Sequence, residues 1–263
     1  MTSVSSSCAV LAEKSALDEV HSLRILTLNT HKGFTPFNRR FILPELREAV
    51  RATATDIVFL QEVLGAHTQQ SQHPNWPAVP QYEFLADSMW SDFSYGRNAV
   101  YPQGDHGNAL LSKFPIIRYE NINISIGKLE QRGLLHSVLL VPGHYEVHAI
   151  CVHLGLRASH RRQQLELLGE LVDSLDPKSP VIIAGDFNDW CQQADKLLTP
   201  FGLTEAFVAE YGAPARSFPA RWPLLCLDRI YVRNATTRNP RVLHRRPWSH
   251  LSDHAPLAAE IQL

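Results

Sequence analysis

The stretch VIIAGDFND, residues 181–189, decides the fold of this chain. Its first four residues are apolar, as in a buried strand, and Gly185 with the polar residues after it marks the end of that strand. The same order of apolar run and polar end recurs at Ile57–Glu62 and at Val147–His153. The pattern predicts three strands, each ending on a side chain able to carry chemistry.

Further strands and helices are predicted on either side of that stretch. Leu23–Leu28 predicts a strand that ends at Asn29, and apolar residues at helical spacing predict helices at Ile42–Val50 and Ser159–Leu175. The proline-rich segment Ser71–Trp90 predicts a long irregular loop. Three other segments predict antiparallel strands: Asn108–Leu111, Ile116–Ile126 and Leu134–Val141.

This succession predicts an α/β fold in which two sheets face each other and helices cover the outside. No linker or repeat divides the sequence, so residues 22–263 are expected to form a single domain. Residues 1–21 are expected to be a flexible leader, because they lack the basic start and long apolar run of a secretory signal.

Composition excludes several classes of protein. With 263 residues, 44% hydrophobic and 19% charged, the chain is an ordinary globular protein, and its net charge of -1 argues against coating DNA by bulk positive charge. The four cysteines form no CxxC motif, which predicts free thiols and a cytoplasmic location. No apolar run approaches the roughly 18 residues of a membrane span, so no stable membrane insertion is expected. Nothing in the sequence predicts a protein partner.

Charge is unevenly distributed along the chain. The segment from Arg216 to Arg246 holds eight arginines and one acid, Asp228. Such a segment can guide a polyanionic substrate toward a site. A solvated arginine-rich loop would have the same composition, and the sequence leaves both interpretations open.

Asp186 and Asn188 form the most specific polar pair in the sequence. Placed two apart directly after an apolar strand, Asp186 can align a water molecule and accept its proton, while Asn188 donates to a phosphate. The alternative is an ordinary turn of Gly, Asp and Asn. Phe187 between the two polar residues makes that alternative less typical.

The pair Asp253-His254 is nearly as specific. Asp228 is its expected partner, because a carboxylate holds an imidazole in one tautomer and keeps it protonated, ready to donate to a phosphoryl oxygen. Asp253 would then lie near a metal ion. The alternative for Asp228 is a salt link to Arg229 or Arg233.

Glu62 is the leading candidate for a direct ligand of Mg²⁺ or Mn²⁺, since hard cations prefer carboxylate oxygen. Asn29, at another strand end, can orient a water molecule or a phosphate through its amide. Taken singly, these two residues would be better explained as a solvated glutamate and an Asx turn.

Three further polar residues complete the candidate set. His153 is expected to act as a second acid near the phosphoryl oxygen. His106 and Asn108 are less specific candidates for phosphate contacts, and Gly107 between them would allow the backbone to approach a ligand closely.

Hydrolysis of a phosphoester requires a divalent cation, a base for water and donors to the phosphoryl oxygens, and these segments supply all three. In combination, the strings QE, GDFN, LDRI and SDHAP resemble the endonuclease/exonuclease/phosphatase superfamily, which includes DNase I-like nucleases. The resemblance runs from about Leu23 to Leu263. It is greatest to small uncharacterised bacterial members with segments like TLNTHKGF, residues 27–34, and WSDFSYGRNAVYP, residues 90–102.

This resemblance implies a four-layer α/β sandwich, with two mixed β-sheets face to face and helices on the outside. It also implies that Glu62 binds Mg²⁺ or Mn²⁺ with support from Asn29 and Asp253. His31 occupies a position where many members have an acid, which makes it a candidate auxiliary ligand.

The same resemblance assigns the remaining roles. Asp186 would activate water, Asn188 and the His254-Asp228 pair would contact phosphate, and His153 would take the position of the family's histidine or tyrosine.

The substrate is left open by the sequence, with a phosphodiester of nucleic acid as the first candidate. A phospholipid or inositol phosphate headgroup is the alternative, for which four tryptophans could form a membrane-facing lip: Trp76, Trp90, Trp222 and Trp248. Burial in the core is nevertheless expected for most of these four indoles. A non-catalytic phosphate-binding module is disfavoured, because such a module would be expected to have lost part of the set that this chain retains.

Overall fold

The computed structural model describes residues 22–68, 75–87, 89–128 and 130–263. The expected leader, residues 1–21, lies outside the described residues, as does the first part of the expected loop after Ser71. The single domain over residues 22–263 stays a prediction.

Twelve strands in the described ranges form two sheets of six. The strands of the first sheet lie in this order: β11 (Thr236–Val242), β12 (Leu257–Gln262), β1 (Ser22–Asn29), β2 (Ile57–His67), β4 (Gly104–Ser112) and β3 (Asp92–Tyr101). Those of the second sheet lie in this order: β5 (Ile116–Asn123), β6 (Gly133–Val141), β7 (His144–His153), β8 (Val181–Asp186), β10 (Asp228–Arg233) and β9 (Thr204–Glu205). Each sheet contains one parallel pair, β1–β2 or β7–β8, and antiparallel pairs otherwise, so both sheets are mixed.

Helices connect and cover these sheets. The α-helices of the described residues are α1 (Leu43–Ala52), α2 (Gln81–Ala86), α3 (Ala158–Ser174), α4 (Ala194–Leu198) and α5 (Ala206–Tyr211). Short 3-10 turns occur at His31–Gly33, Pro36–Asn38, Thr199–Phe201 and Trp248–His250. None of the described helices is long and apolar enough to cross a bilayer.

Side-chain alternation along the strands builds the layers. On β1, Leu23 and Ile25 face the core between the sheets, whereas Leu26 and Leu28 face outward into the cluster formed with α1. On the other side, Leu165 and Leu168 of α3 pack on the outer face of the second sheet. Because successive side chains of a strand point to opposite faces, both faces of each sheet are buried. The predicted four-layer sandwich is confirmed.

Strand register brings the predicted polar ends together. Asn29 pairs with Gln61 across β1 and β2, and Asp186 pairs with His153 on β7 and with Asp228 on β10. The second sheet thus places a histidine and two carboxylates side by side at the end of three adjacent strands.

One strand prediction near this end is corrected. β2 does not end at Glu62 but continues to His67, and its register is irregular between Leu60 and Val63. Glu62 lies in that irregularity with a positive φ of 55°. An extra residue in one strand is a β-bulge, which redirects a side chain, so the register of β2 is broken at Glu62.

The expected loop Ser71–Trp90 is also corrected, because it contains α2 and ends in the core. Trp90 is 1% exposed, and its Nε1 donates to the carbonyl of Thr55 at 3.2 Å. Burial of an indole whose N–H has a partner stabilises this segment, which prolines alone had suggested was irregular. The strand predicted over Ile116–Ile126 ends earlier, at Asn123.

Candidate active site

Asn29, at the end of β1, links the two sheets at the active site. Its Nδ2 donates to Glu62 Oε1 at 3.4 Å and to Asp186 Oδ2 at 3.2 Å. Its Oδ1 accepts from the backbone N–H of His31 at 3.0 Å. One buried amide therefore holds a carboxylate from each sheet.

The bulge at Glu62 is held in place by Thr30. The Thr30 hydroxyl lies 2.9 Å from the carbonyl oxygen of Gln61 and 3.1 Å from that of Glu62. Burial alone would raise the pKa of the Glu62 carboxyl, but His153 in its protonated form, the charge of Lys32 and the Asn29 hydrogen bond lower it to about 2. Glu62 is thus an anion throughout the physiological pH range.

Asp186 is buried, with 2% of its surface exposed. Its Oδ1 accepts from the backbone N–H of Asn188 at 2.9 Å, and two imidazoles approach its Oδ2: His153 Nε2 at 3.6 Å and His254 Nε2 at 3.8 Å. Burial raises the pKa of Asp186 to about 7, against the opposing effect of His254 and with the help of Asp228. The carboxylate is therefore a stronger base than an exposed aspartate.

His254 follows the Trp248–His250 turn and pairs with Asp228, as the sequence predicts. Its Nδ1 lies 2.8 Å from Asp228 Oδ2. Burial would lower the pKa of His254, but the carboxylates of Asp228 and Asp186 raise it to about 10. The imidazole is therefore a cation at neutral pH, and its Nε2–H points toward the buried centre.

Two groups of side chains have the chemistry of a metal site. Asp186, Asp228 and His254 place one ligand atom each within 4.8 Å of one another. A protonated imidazole cannot bind a cation, so the positive charge of His254 already occupies that cluster. The anionic Glu62 beside Asn29 is the better match to a hard divalent ion, which binds through oxygen.

Asp253 joins the Glu62 side of the centre. The Ser252 hydroxyl donates to the carbonyl of Asn29 at 2.7 Å and to Asp253 Oδ1 at 3.3 Å, and His31 Nδ1 lies 3.4 Å from that same Oδ1. Of the predicted metal set, Asn29 contacts Glu62 and His31 contacts Asp253. The oxygen donors of Glu62, Asn29 and Asp253 are of the kind that Mg²⁺ or Mn²⁺ prefers.

Comparison with known proteins accounts for this arrangement. A model of the Endonuclease/Exonuclease/phosphatase family matches residues 26–254, which include the end of β1, the strands from β2 to β11 and every residue of the centre. The chain belongs to this family. Its reaction class is accordingly phosphoester hydrolysis.

Relatives within the family differ widely in sequence identity. The "Uncharacterized protein YbhP" of Escherichia coli (strain K12) is 57% identical over 245 residues, covering 92% of this chain and 97% of that protein. A solved endonuclease/exonuclease/phosphatase from Beutenbergia cavernae DSM 12333 has a TM-score of 0.73 at 19% identity, covering 93% of this chain and 72% of that one. The structure of D. rerio TDP2 complexed with single strand DNA product has a TM-score of 0.72 at 17% identity, covering 93% of this chain and 100% of that one. At these identities the two solved structures establish the fold.

His153 differs from its predicted state. Burial and the charge of Arg132 lower the pKa of this imidazole to about 3. The ring is therefore neutral at pH 7 and can donate a hydrogen bond without acting as a charged acid. Of the two histidines that approach Asp186, only His254 carries a positive charge.

The predicted phosphate contacts are only partly available. Asn188 lies at the centre with a φ of 50°, and its Nδ2 donates to the carbonyl of Leu154 at 2.9 Å, which leaves one amide hydrogen free. Asn108 is fully buried, and its Nδ2 donates to the carbonyls of Gly133 at 3.0 Å and Cys151 at 3.3 Å. Both of its amide hydrogens are engaged, so Asn108 joins β4 to the second sheet instead of binding phosphate.

His106 is the second candidate that the structure corrects. It lies within β4, not before a strand, and burial lowers its pKa to about 4, so its ring is neutral at pH 7. A neutral imidazole can offer a phosphate only a hydrogen bond and no charge, so a phosphate contact of His106 stays a prediction.

Sequence reasoning missed several residues that position this family's centre. Thr30 and Ser252 lie inside the quoted segments, and their hydroxyls next to Asn29 and Asp253 were the available signal. Lys32 and Arg132 carried no such signal, because their closeness to Glu62 and His153 depends on the fold.

The arginine-rich segment is not one surface. Arg229 is fully buried, and its guanidinium donates to the carbonyls of Cys226 at 2.9 Å and Asp189 at 3.4 Å. Arg233 likewise donates to the carbonyl of Val172 in the last turn of α3 and to that of Asp176 just after the helix. These two arginines hold the backbone and leave the carboxylate of Asp228 to His254. The others are exposed: Arg216, Arg221, Arg238, Arg241, Arg245 and Arg246.

Proposed function

We propose that this chain is a Mg²⁺- or Mn²⁺-dependent phosphodiesterase that cleaves nucleic acid. The observation that carries the proposal is the Asn29 amide, which hydrogen-bonds both Glu62 and Asp186 next to the His254-Asp228 pair. The amide brings together a carboxylate that can bind a cation, Glu62, and a base that can activate water, Asp186. The adjacent His254 can donate a hydrogen bond to the phosphoryl group. The likeness to D. rerio TDP2, complexed with single strand DNA product, supports nucleic acid as the substrate.

Glu62 would hold the cation, with Asn29, Asp253 and His31 around it. A bound divalent cation supplies positive charge against the phosphoryl oxygens. The low pKa of Glu62 keeps its carboxylate available for that cation, and Thr30 fixes the backbone that presents it.

Asp186 would orient a water molecule and accept its proton as the oxygen attacks phosphorus. His254 would donate its Nε2–H to a phosphoryl oxygen, where negative charge accumulates in the transition state. Asp228 keeps His254 in the tautomer and charge state for that donation. Asn188 and the neutral His153 would add hydrogen bonds to the phosphate.

The test is hydrolysis of bis-p-nitrophenyl phosphate and of single- and double-stranded oligonucleotides by metal-free protein to which Mg²⁺ or Mn²⁺ is returned. Turnover of the diester should depend on the added ion and cease with EDTA. Turnover that persists unchanged in EDTA would contradict the proposal. The prediction of a cytoplasmic location is kept, and no protein partner is proposed.

A phospholipid headgroup is the second candidate, favoured by one loop. Trp222 is 75% exposed and Leu224 is 68% exposed on the loop whose Ala220 N–H donates to the carbonyl of Asp253 at 2.7 Å. Exposed apolar residues beside a site are typical of contact with a lipid surface. Trp90 and Trp248 are buried and cannot contribute to such a lip.

Co-sedimentation with phosphatidylglycerol vesicles tests that candidate. If the lipid is the substrate, Trp222→Ser with Leu224→Ser should abolish sedimentation. Equal sedimentation of this variant and the unaltered chain would remove the lipid candidate.

A further inference from the structure

A polar groove lies where the ends of β3, β5 and β6 meet. Five of its residues carry the argument: Arg97, Asn98, Asn121, Lys128 and Arg132. Its volume of about 570 Å³ is within the range of small-ligand sites. We call it the amide groove. Its lining contains only basic, amide, hydroxyl and glycine residues.

The amide groove is positively charged and its charges are free. Arg97 and Lys128 are exposed, and across the described ranges neither they nor Arg132 form an ion pair. The carboxylate of Glu130, close in sequence, instead accepts from the backbone N–H of Leu156 at 3.1 Å. Unpaired guanidinium and ammonium groups without a local acid are suited to phosphate.

The amides of the groove are held in fixed positions. Asn121 Nδ2 donates to the carbonyl of Arg97 at 3.2 Å and to Asn98 Oδ1 at 3.0 Å. These bonds join β5 of the second sheet to β3 of the first. A Cβ on Gly133 would lie 2.3 Å from Asn98 Oδ1, so the close contact of strand and amide requires glycine there. A groove built in this way is formed before any ligand arrives.

The inner end of the groove reaches the active site through Arg132. Its Nε donates to the carbonyl of Leu154 at 3.1 Å, the same carbonyl that accepts from Asn188 at 2.9 Å. Its charge also lowers the pKa of the neighbouring His153. A ligand in the groove would therefore lie directly beside the phosphate that Asn188 and His153 are proposed to contact.

We propose that the amide groove binds the phosphate adjacent, along a single nucleic-acid strand, to the phosphate that is cut. The inference rests on the proposed function and specifies its substrate. Arginine and lysine would pair with the phosphodiester, and the asparagines would hold the strands that present these charges. An acyl chain is disfavoured, because the lining offers no aliphatic or aromatic side chain to pack against it.

Binding tests this inference without requiring turnover. Fluorescence anisotropy in EDTA would follow a fluorescein-labelled single-stranded 10-mer with the unaltered chain and with an Arg97→Gln, Lys128→Gln variant. Both altered side chains are exposed, so the fold should be retained. Binding at low salt should weaken at least tenfold, and log K should depend less steeply on log salt, by about 0.7, because the groove would neutralise one phosphate and each neutralised phosphate of a single strand contributes about 0.7.

The matched control removes the same type of charge at the opposite edge of the first sheet. Arg238→Gln with Arg241→Gln on β11 should bind the 10-mer as the unaltered chain does. Equal weakening in both variants, or unchanged binding in the groove variant, would overturn the inference.

Two further probes separate the sources of phosphate. Binding of inositol hexakisphosphate by a chain that fails to bind the 10-mer would overturn the assignment to a strand. Hydrolysis of bis-p-nitrophenyl phosphate, measured in parallel with Mn²⁺, tests the proposed function separately. Metal-dependent hydrolysis together with undiminished 10-mer binding by the groove variant would refute the groove and leave the proposed function standing.

Discussion

Asp186 receives hydrogen bonds from a side-chain amide and a backbone N–H while two imidazoles approach one of its oxygens. No other carboxylate of the centre lies between so many donors in the described part of the chain. Its basicity and its orientation both depend on burial, which excludes water from all of these contacts.

Replacing Asp186 by Asn should lower kcat for a phosphodiester by about 10² to 10⁴, because an amide cannot accept the proton of water. The fold should persist, since the amide is isosteric and keeps an acceptor for Asn29. Steady-state kinetics with the circular dichroism spectrum check both expectations.

The matched control is Asp173→Asn, which removes an exposed acid on α3. This variant should leave kcat unchanged. Near-normal turnover by Asp186→Asn would assign the base to another residue.

Single site residues were predictable where the reactive side chain lies within a short and distinctive sequence string. GDFND and SDH identified Asp186, His254 and the pairing with Asp228. The neutral state of His153 was not predictable, since it depends on burial and on Arg132, which the sequence places 21 residues away. Asn108 was misassigned because the carbonyls it bonds belong to β6 and β7.

At the scale of elements, the bulge of β2 is what presents Glu62. Sequence pattern predicted a strand end there, because a polar pair after an apolar run is typical of one. The strand instead continues beyond an interruption that the Thr30 hydroxyl stabilises from 32 residues away. Local sequence contains no trace of such a hydrogen bond.

Thr30→Val removes the hydroxyl while preserving shape. The loss should destabilise the fold by about 1 to 3 kcal/mol, since buried carbonyls of Gln61 and Glu62 lose a donor. It should also raise the concentration of Mn²⁺ that gives half-maximal activity, because Glu62 is no longer held. Urea unfolding and a metal titration measure the two effects.

Thr30→Ser retains the hydroxyl and should restore the metal requirement. If Thr30→Val titrated with Mn²⁺ as the unaltered chain does, the bulge would not depend on this side chain.

At the scale of the molecule, the four layers were predictable because strand and helix periodicities differ and both recur along the chain. Helices of five or six residues, such as α2 and α4, were not, since fewer than two turns leave too little periodic signal. Burial of most tryptophans was expected, but which of them are buried was not predictable, because an indole suits both a core and a surface.

Global stability should depend on pH through Glu205, the buried residue that caps α5. Its Oε2 accepts from the backbone N–H of Val208 at 2.6 Å, and burial raises its pKa from 4.5 to about 7. Between these values the folded state binds the proton more tightly than the unfolded state, so the free energy of unfolding falls as pH rises from 4.5 to 7.

Glu205→Gln should remove this dependence. Relative to the unaltered chain, it should gain on the order of 2 to 3 kcal/mol between pH 4.5 and pH 8, since one pKa unit corresponds to about 1.4 kcal/mol. Urea unfolding at both pH values measures the gain. Glu170 is an exposed acid on α3, and Glu170→Gln serves as the control. This substitution should change the free energy of unfolding by the same amount at pH 4.5 and at pH 8. An equal shift at both pH values for Glu205→Gln would contradict the prediction.

The Asn29 amide crosses the interface between the two sheets, and this position determines how the molecule would lose activity. Neither sheet by itself carries all of the reactive groups. One half of the molecule alone would therefore have no activity, even if its strands stayed folded. A displacement of one sheet relative to the other that is too small to change the circular dichroism would already abolish turnover. The catalytic rate therefore reports the relative position of the two sheets more sensitively than a spectroscopic measurement of strand content does.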